Sequence, residues 1–459
     1  MRFEELFDLN PWWEDPENIK IDRHIVLFEE KKYKYHPEKI LNQIKIDQAG
    51  IYTLRGPRQI GKTSALKLLI RALLASDVDP KRIVYLPCDN MKDRFELTDI
   101  IMRYVRVFTQ DRKLFLFIDE ATLIPDWQLA IKYLVDTGFL DRAVVVITGS
   151  SAYDLKISSE RLPGRRGVGR DIVYLPLSFK EFLTGFDIHV EGFSLRDLMS
   201  SSVGELKNLY VKWAHVKRYF DIYWLSGGIP FAINDLLENG TVTEKSIRTI
   251  TDFIFGDIER YTKSRLRIME LMKKLPDIVG QRFSWNSLVN HIEDFAESPM
   301  TLQKYFELLS YLFIFATVYF LDPSTKKVRP KKQKKVYPID TIVLKVLEKL
   351  SGKKVEEGHI AEMIVLRHLL DELRIHEGLN LYFGPYYWYS NKGNEIDFIQ
   401  EENSILVPIE VKYQNKISKS DYSSMLRVFG RGILITKDQV FKDRGVVGIP
   451  LWLFVISLG

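Results

Sequence analysis

The sequence predicts an α/β protein in which two separate α/β units are joined by a mainly helical segment. Three observations support this fold class. Residues 36 to about 180 alternate strand and helix signals, and the strand signals are continuous apolar runs, as in a parallel sheet that is covered on both faces. Residues 181–262 follow a helical pattern. Residues 346–459 return to a mixture of helices and strands.

The composition is that of an ordinary globular protein. Of 459 residues, 46% are hydrophobic and 28% are charged, which excludes a disordered or fibrous chain. The net charge of +5 does not by itself indicate a nucleic-acid-binding protein. A single cysteine, Cys88, excludes a disulfide framework and a zinc site built from cysteines. The two long apolar stretches, 308–321 and 446–458, are shorter than a membrane span of ~20 residues, so we expect a cytoplasmic protein without membrane contact.

A glycine-bounded loop lies between the first predicted strand, Ile51–Leu54, and an amphipathic helix. The loop matches G-x-x-x-x-G-K-[ST], in which backbone N–H groups cradle phosphates; the alternative is an ordinary strand-to-helix turn. Lys62 is expected to reach the β- and γ-phosphates of ATP, and the Thr63 hydroxyl to bind Mg²⁺. The candidate nucleotide-binding residues in this loop are Gly56, Pro57, Arg58, Gln59, Ile60, Gly61, Lys62, Thr63 and Ser64.

A second buried strand, Leu114–Ile118, ends in Asp119 and Glu120. The carboxyl ends of strands in an open α/β sheet border the ligand crevice. We therefore expect Asp119 to hold the Mg²⁺ and Glu120 to orient or deprotonate the attacking water. The alternative is a strand that simply ends in a charged turn.

Two further segments are candidates for contact with the γ-phosphate. Ser150 follows the predicted strand Ala143–Ile147, and we expect its hydroxyl to contact the γ-phosphate or the attacking water, to cap a helix, or to do both. Arg165 and its neighbour Arg166 lie in a loop with glycines on both sides. One of these arginines is either an arginine finger or part of a solvated surface turn.

Taken in order along the chain, these motifs resemble one prokaryotic family. The shared elements are the phosphate loop, Ile-Asp-Glu, Asp126-Trp127, Thr-Gly-Ser-Ser, Leu-Pro-Gly-Arg and Leu177-Ser178-Phe179-x-Glu181-Phe182. The family consists of archaeal and bacterial AAA-type ATPases with a winged helix and a nuclease-like C-terminal domain. The resemblance implies a P-loop NTPase parallel sheet, a helical lid that includes residues 227–230, a winged-helix domain and a second α/β domain of the PD-(D/E)XK nuclease type.

A basic run separates two further predicted strands, Phe315–Leu321 and Val336–Ile339. Seven of the ten residues from Lys326 to Lys335 are Lys or Arg, and two predicted helices precede the first strand. Two helices followed by a basic hairpin predict a winged helix whose hairpin contacts DNA phosphates. The alternatives are a solvated loop, a protein contact, or RNA in place of DNA.

Acidic residues and a lysine converge in the last α/β unit. Glu410 and Lys412 are two residues apart at the end of a predicted strand and therefore share one face, and an adjacent strand brings Asp397 beside them. Asp397 and Glu410 are expected to bind Mg²⁺ or Mn²⁺, Glu362 on the preceding helix to support the site, and Lys412 to position or deprotonate water. The arrangement resembles that of PD-(D/E)XK nucleases. The alternative is an exposed hairpin with ion pairs.

The predicted domains are an N-terminal arm (1–35), a P-loop ATPase core (36–180), a helical lid (181–262), a winged helix (263–345) and a nuclease-like domain (346–459). The leading hypothesis is a Mg²⁺-dependent ATPase that binds DNA and couples ATP binding and hydrolysis to a metal-dependent nuclease domain. The alternative is an ATP-dependent switch or scaffold with an inactive nuclease-like domain and a winged helix that binds protein or RNA. An arginine finger that acts in trans would require a nucleotide-dependent homo-oligomer.

Overall fold

The computed structural model describes residues 2–108, 113–149, 164–261, 265–292, 298–372, 380–381 and 384–458. The chain forms two compact units, unit 1 (Met1–Leu175) and unit 2 (Pro176–Gly459). Across the described ranges, no helix is both long enough and apolar enough to cross a bilayer.

Unit 1 is built around a parallel sheet whose strands lie in the order β2-β3-β4-β1-β5. Its strands are β1 (Gly50–Arg55), β2 (Ile83–Pro87), β3 (Leu114–Asp119), β4 (Ala143–Thr148) and β5 (Asp171–Val173). Its described helices are α1 (Glu5–Leu9), α2 (Arg23–Glu29), α3 (Glu38–Leu41), α4 (Lys62–Ala75), α5 (Arg94–Phe108) and α6 (Trp127–Asp136). The predicted parallel sheet is confirmed, because every strand pair in it is parallel. Strands β1, β3 and β4 are buried along their whole length, as expected for a sheet covered on both faces.

The N-terminal segment of unit 1 lies along β2, one of the two edge strands of the sheet. The Asn10 side chain donates to the Tyr85 carbonyl (3.1 Å) and accepts from the Tyr85 N–H (2.6 Å). The indole N–H groups of Trp12 and Trp13 both donate to the carbonyl of Ile83, at 3.1 and 2.8 Å. Both tryptophans are buried, so they belong to the core of unit 1.

Unit 2 combines a helical segment, a three-stranded sheet, a two-stranded sheet and a larger mixed sheet. Its described helices are α7 (Phe179–Thr184), α8 (Leu195–Ser200), α9 (Val203–Trp213), α10 (Lys217–Ser226), α11 (Pro230–Asn239), α12 (Glu244–Glu259), α13 (Arg265–Lys274), α14 (Trp285–His291), α15 (Pro299–Tyr311), α16 (Thr341–Ser351), α17 (Glu357–Leu369), α18 (Ser423–Phe429) and α19 (Leu451–Ser457). Its strands are β6 (Phe315–Tyr319), β7 (Leu321–Asp322), β8 (Lys327–Val328), β9 (Lys334–Pro338), β10 (Asn380–Leu381), β11 (Tyr386–Tyr389), β12 (Glu395–Glu402), β13 (Ile405–Lys412), β14 (Gly432–Thr436), β15 (Phe441–Asp443) and β16 (Val446–Pro450).

Two glycines form a tight packing point between α10 and α11. The Gly228 N–H donates to Asp340 (2.6 Å), and the Leu177 N–H donates to the Gly228 carbonyl (2.7 Å). Gly227 has φ +71°, and a Cβ built on it would lie 2.2 Å from an Asp340 carboxylate oxygen. The break in the helical pattern is therefore a place where backbones and a buried carboxylate approach closely.

The basic run of the sequence forms the end of a hairpin between β6 and β9, which pair antiparallel. Helices α13, α14 and α15 precede it, and Phe283 forms an antiparallel bridge with Lys334 of β9. The basic residues on the connection are exposed, but Lys334 and Lys335 are buried because β9 has already entered the sheet. The basic run is therefore only partly a surface feature.

The larger sheet of unit 2 has the strand order β11-β12-β13-β14-β16-β15. Strands β12 and β13 are antiparallel, whereas β13, β14 and β16 run parallel. Helix α17 precedes this sheet along the chain and α18 connects β13 to β14. The apolar C-terminal run forms β16 and the buried helix α19. The sheet brings the carboxyl end of β13 beside β12, where the predicted acidic residues lie.

Candidate functional site

The phosphate-loop motif connects β1 to α4, and the predicted strand–loop–helix order is observed. Gln59 and Gly61 both have positive φ, at +63° and +99°, which turns the loop back over the first turn of α4. The Lys62 ammonium donates to the carbonyls of Gly56 and Pro57, both at 3.0 Å. A Cβ on Gly56 would lie 2.2 Å from the carbonyl of Tyr174, so only glycine fits there. The Lys62 ammonium is therefore held against the backbone of the phosphate loop by two hydrogen bonds.

Asp119 is the centre of a buried hydroxyl cluster at the carboxyl end of β3. Thr63 and Tyr85 each donate a hydroxyl hydrogen bond of 2.8 Å to Asp119 Oδ2, and Thr148 donates to Oδ1. The carboxylate is 3% exposed. Thr63 and Asp119, which the sequence assigned to one metal site, are thus in direct contact. Glu120, the next residue, has φ +56° and donates its backbone N–H to the Thr148 hydroxyl (3.2 Å).

Sequence reasoning missed two residues that hold Asp119, namely Tyr85 and Thr148. Burial and the neighbouring Asp119 raise the pKa of the Tyr85 hydroxyl, so this group stays protonated and donates. The only sequence signal for Tyr85 was a hydroxyl within an otherwise apolar buried strand. Thr148 ends β4, and its assignment requires the register that sets β3 beside β4.

A buried lysine on α4 links the N-terminal segment to this cluster. Lys67 lies one turn after Thr63, and its ammonium is 2.9 Å from an Asp22 carboxylate oxygen. The same ammonium lies 3.5 Å from the centroid of the Tyr85 ring and 5.0 Å from that of Trp12. Burial lowers the pKa of Lys67, while Asp22 acts in the opposite direction. Asp22 and Trp12, which precede β1, therefore contact Lys67, and Lys67 packs on the ring of Tyr85, whose hydroxyl donates to Asp119.

The two candidate arginines lie beside the amino-terminal end of β1, whereas the phosphate loop follows its carboxyl end. Arg165 forms an ion pair with Asp136 (2.6 Å). Arg166 donates to the Ile51 carbonyl (3.2 Å) and pairs with Asp171 (2.9 Å). The structure thus does not bring either arginine to the phosphate loop of its own chain. Ser150 lies outside the described residues.

The four predicted residues of the second site meet in unit 2. The Asp397 N–H donates to Glu410 Oε2 (3.3 Å), and the Val411 N–H donates to Asp397 Oδ2 (2.9 Å). The Lys412 ammonium donates to Glu410 Oε1 (2.6 Å). Glu362 of α17, Asp397 and Glu410 are all buried. Burial and the charge of Asp397 raise the pKa of Glu362 and of Glu410.

A fifth residue that was not predicted for this site lies among the carboxylates. The Lys335 ammonium is 2.6 Å from Glu395 Oε1, 3.0 Å from Asp397 Oδ1 and 3.2 Å from Glu362 Oε2. The Tyr337 hydroxyl also donates to Glu362 Oε2 (2.6 Å). Burial would raise the pKa of Asp397, but Lys335 and then Lys412 lower it. The signal available in the sequence was alternation, because Lys335 and Tyr337 lie on one face of a strand.

Two family models match separate parts of the sequence, and each part contains one of the two candidate sites. Residues 48–183 match a family model described as an AAA domain, and residues 357–454 match a model described as a domain of unknown function, DUF4143. No protein of curated function matches the sequence.

Distant similarities to solved structures accompany these matches. A Walker-type ATPase of Pyrococcus abyssi is 15% identical with a TM-score of 0.42, over 68% of this chain and 94% of that one. Cdc6p from Pyrobaculum aerophilum is 17% identical with a TM-score of 0.26, over 74% of this chain and 93% of that one. C. elegans PCH-2 is 16% identical with a TM-score of 0.24, over 57% of this chain and 67% of that one.

The AAA model spans the phosphate loop, the Asp119 cluster and the whole parallel sheet. Unit 1 carries an AAA-type P-loop ATPase domain. ATP is therefore the ligand expected at the phosphate loop. The hydroxyl of Thr63 and the carboxylate of Asp119, 2.8 Å apart, are oxygen donors of the kind that Mg²⁺ prefers, so these residues of the ATPase domain fit the ion.

The carboxylate cluster of unit 2 does not fit a divalent ion as arranged. Mg²⁺ binds oxygens at 2.0–2.1 Å, but the facing oxygens of Glu362 and Asp397 are within 3.2 Å of the Lys335 ammonium. Among the residues that the structure describes, no group of three or more His, Cys, Asp or Glu is arranged to hold a metal ion. The ATPase domain and unit 2 thus differ in their fit to Mg²⁺.

Proposed function

We propose that the protein hydrolyses ATP in a Mg²⁺-dependent reaction at the phosphate loop of unit 1 and binds DNA through unit 2. The observation that carries the first part is the cluster in which Thr63, Tyr85 and Thr148 all donate to Asp119. Phosphate release from ATP by the full chain, abolished by a chelator, tests the reaction.

In the proposed reaction, the loop backbone and Lys62 bind the phosphates, and the amino end of α4 adds its positive dipole. Thr63 and Asp119 hold the Mg²⁺, which neutralises charge on the phosphates when it is bound. Glu120 orients the attacking water and accepts its proton. Arg165 belongs to the proposal only in trans, in a nucleotide-dependent homo-oligomer, because its own phosphate loop is at the other end of β1. Ser150 stays a candidate contact of the γ-phosphate.

Tyr85→Phe is expected to lower ATP turnover about 10-fold and to raise the Mg²⁺ concentration needed for half-maximal rate. The variant removes one of the hydroxyls that fix Asp119, and a hydrogen bond to a charged group is worth about 1.5–3 kcal/mol. Turnover measured against Mg²⁺ concentration checks this. The matched control is Tyr104→Phe, which removes a buried hydroxyl bonded to the Lys81 carbonyl (2.8 Å) and not to Asp119. An equal loss in both variants, with unchanged Mg²⁺ dependence, would contradict a positioning role for Tyr85.

The proposed DNA contact rests on the exposed part of the basic hairpin. A winged-helix domain is supported by the order of elements in residues 265–338. Helix α13 is followed by a segment in which Phe283 bridges to β9, then by α14, α15 and the antiparallel hairpin of β6 and β9. Its connection carries five exposed cations, Lys326, Lys327, Arg329, Lys331 and Lys332. Lys326 also donates to the Ser404 carbonyl (2.8 Å), which ties the hairpin to the larger sheet. A fixed row of exposed cations suits a phosphate backbone.

Changing Lys327, Lys331 and Lys332 together to Gln is expected to weaken DNA binding and to lower the salt dependence of log K by about 3, because each phosphate contact contributes a slope of about 1. Binding isotherms at several salt concentrations measure this. The control changes three exposed cations elsewhere in unit 2, Lys207, Lys245 and Arg248, to Gln. Equal binding by both triple variants would favour a protein-binding winged helix, and selective loss of RNA binding would favour RNA.

The strand order and the convergence of Glu362, Asp397, Glu410 and Lys412 support a nuclease-like core in unit 2. A second candidate function is an ATP-dependent switch or scaffold in which this core is inactive, and the position of Lys335 favours it. Plasmid, linear and single-stranded DNA, incubated with Mg²⁺ or Mn²⁺ with and without ATP, separate the two. Cleavage that is lost in Lys412→Ala supports the nuclease, whereas intact DNA in every condition supports the switch.

A further inference from the structure

We propose that the Lys335 ammonium is a resident cation that closes the carboxylate cluster of unit 2 to divalent metals. The inference deepens the proposed function of this cluster and rests on it only for the interpretation of unit 2 as nuclease-like. It predicts that the cluster takes up a divalent ion when the charge of Lys335 is removed.

The contacts of Lys335 are those of a cation in a complete ligand shell. An ammonium has three N–H donors, and three carboxylates lie within reach of it, at 2.6, 3.0 and 3.2 Å. The side chain is 1% exposed, so bulk solvent does not reach the ammonium. A buried charge of this kind persists only when it is paired and hydrogen-bonded.

The other oxygens of Asp397 and Glu410 also accept hydrogen bonds. Asp397 Oδ2 accepts the Val411 N–H, Glu410 Oε1 accepts from Lys412, and Glu410 Oε2 accepts the Asp397 N–H. A divalent ion on Asp397 would share that carboxylate with an ammonium 3.0 Å from its Oδ1. A metal ion and an ammonium that share one carboxylate repel each other strongly in a buried site. Metal and Lys335 therefore compete for the same oxygens.

The origin of Lys335 in the chain distinguishes it from a member of the carboxylate motif. Lys335 comes from β9, the second strand of the basic hairpin, whereas the carboxylates come from α17, β12 and β13. Lys334, its neighbour, points to the other face, with its ammonium 4.5 Å from the centroid of the Trp285 ring. The two adjacent lysines of β9 thus have different surroundings, because Lys335 contacts the carboxylates and Lys334 contacts Trp285.

The test is Mn²⁺ titration of the full-length protein without nucleotide or DNA, followed by electron paramagnetic resonance. Wild type is compared with Lys335→Met, which keeps the length of the side chain and removes the charge. We expect the variant to bind one Mn²⁺ at least about 100-fold more tightly than wild type at this cluster, because the repelling charge is gone. The double variant Lys335→Met/Asp397→Asn is expected to lose that ion, which assigns it to the cluster.

The wild-type protein keeps the proposal testable if Lys335→Met does not fold. Wild type and Asp397→Asn should then bind Mn²⁺ equally, and Lys335→Arg, which keeps the charge, should behave like wild type. Mn²⁺ binding by wild type that disappears in Asp397→Asn would overturn the proposal, as would a folded Lys335→Met that binds no additional ion. ATP turnover and DNA binding are measured on the same preparations, so failure of the proposed function would appear there and not in the metal titration.

Discussion

Glu120→Gln is expected to lower ATP turnover by about 10²–10⁴-fold while ATP binding is retained. The amide keeps the size of the side chain but cannot accept a proton from water. Lys62 donates to the loop carbonyls of Gly56 and Pro57 and is proposed to contact the phosphates, so the affinity for ATP should stay close to that of wild type. Single-turnover phosphate release and binding of a fluorescent nucleotide measure the two quantities separately.

Two further variants serve as comparisons for Glu120→Gln. Asp126→Asn is the matched control, because Asp126 carries the same charge change and also has a left-handed backbone, with φ +55°. Lys62→Ala is expected to lose both binding and turnover, since the lysine is proposed to contact the phosphates. Unchanged turnover in Glu120→Gln, or an equal loss in Asp126→Asn, would contradict the role of Glu120.

Gly228→Ala is expected to lower the free energy of unfolding by about 3 kcal/mol. An added Cβ would lie 2.2 Å from the Leu177 carbonyl oxygen and 2.5 Å from its nitrogen, so one of the two backbones must move. That movement would strain the hydrogen bonds that Gly228 makes with Leu177 and Asp340. Chemical denaturation followed by circular dichroism measures the change.

The control for this variant is Gly256→Ala, at a position in α12 where an added Cβ would have no neighbour within 4 Å. Alanine is favoured over glycine in helices, so this change is expected to raise stability by up to about 1 kcal/mol. A loss of stability in Gly256→Ala comparable to that in Gly228→Ala would show that the close approach at Gly228 is not the cause.

Local patterns predicted the ATPase core well. The phosphate loop is contiguous in sequence, so the order of β1, loop and α4 follows from spacing and periodicity alone. The meeting of Thr63 with Asp119 also follows from a general rule, because parallel strands end at the same edge of the sheet. The supporting hydroxyl of Tyr85 could not be predicted, since it depends on which strand becomes the neighbour of β3.

Charge patterns were less informative than strand patterns in unit 2. Ten consecutive residues rich in lysine resemble a solvated loop in composition, yet the last two belong to a buried strand. The role of Lys335 depends on carboxylates 27 and 62 residues away, and such pairings leave no local signal. The position of Arg165 is likewise set by the hydrogen bond from the Ile51 N–H to the carbonyl of its neighbour Arg166, which the surrounding glycines did not reveal.

The contacts of Asn10, Trp12 and Trp13 have a consequence for solubility. The outermost strand of an open sheet exposes unpaired N–H and C=O groups, to which a strand of another molecule can add. Here side chains take up the Tyr85 N–H and C=O and the Ile83 carbonyl of that strand. Three residues near the start of the chain thereby block the β2 edge of the ATPase sheet against intermolecular strand addition, a form of self-association that would join one molecule to the next.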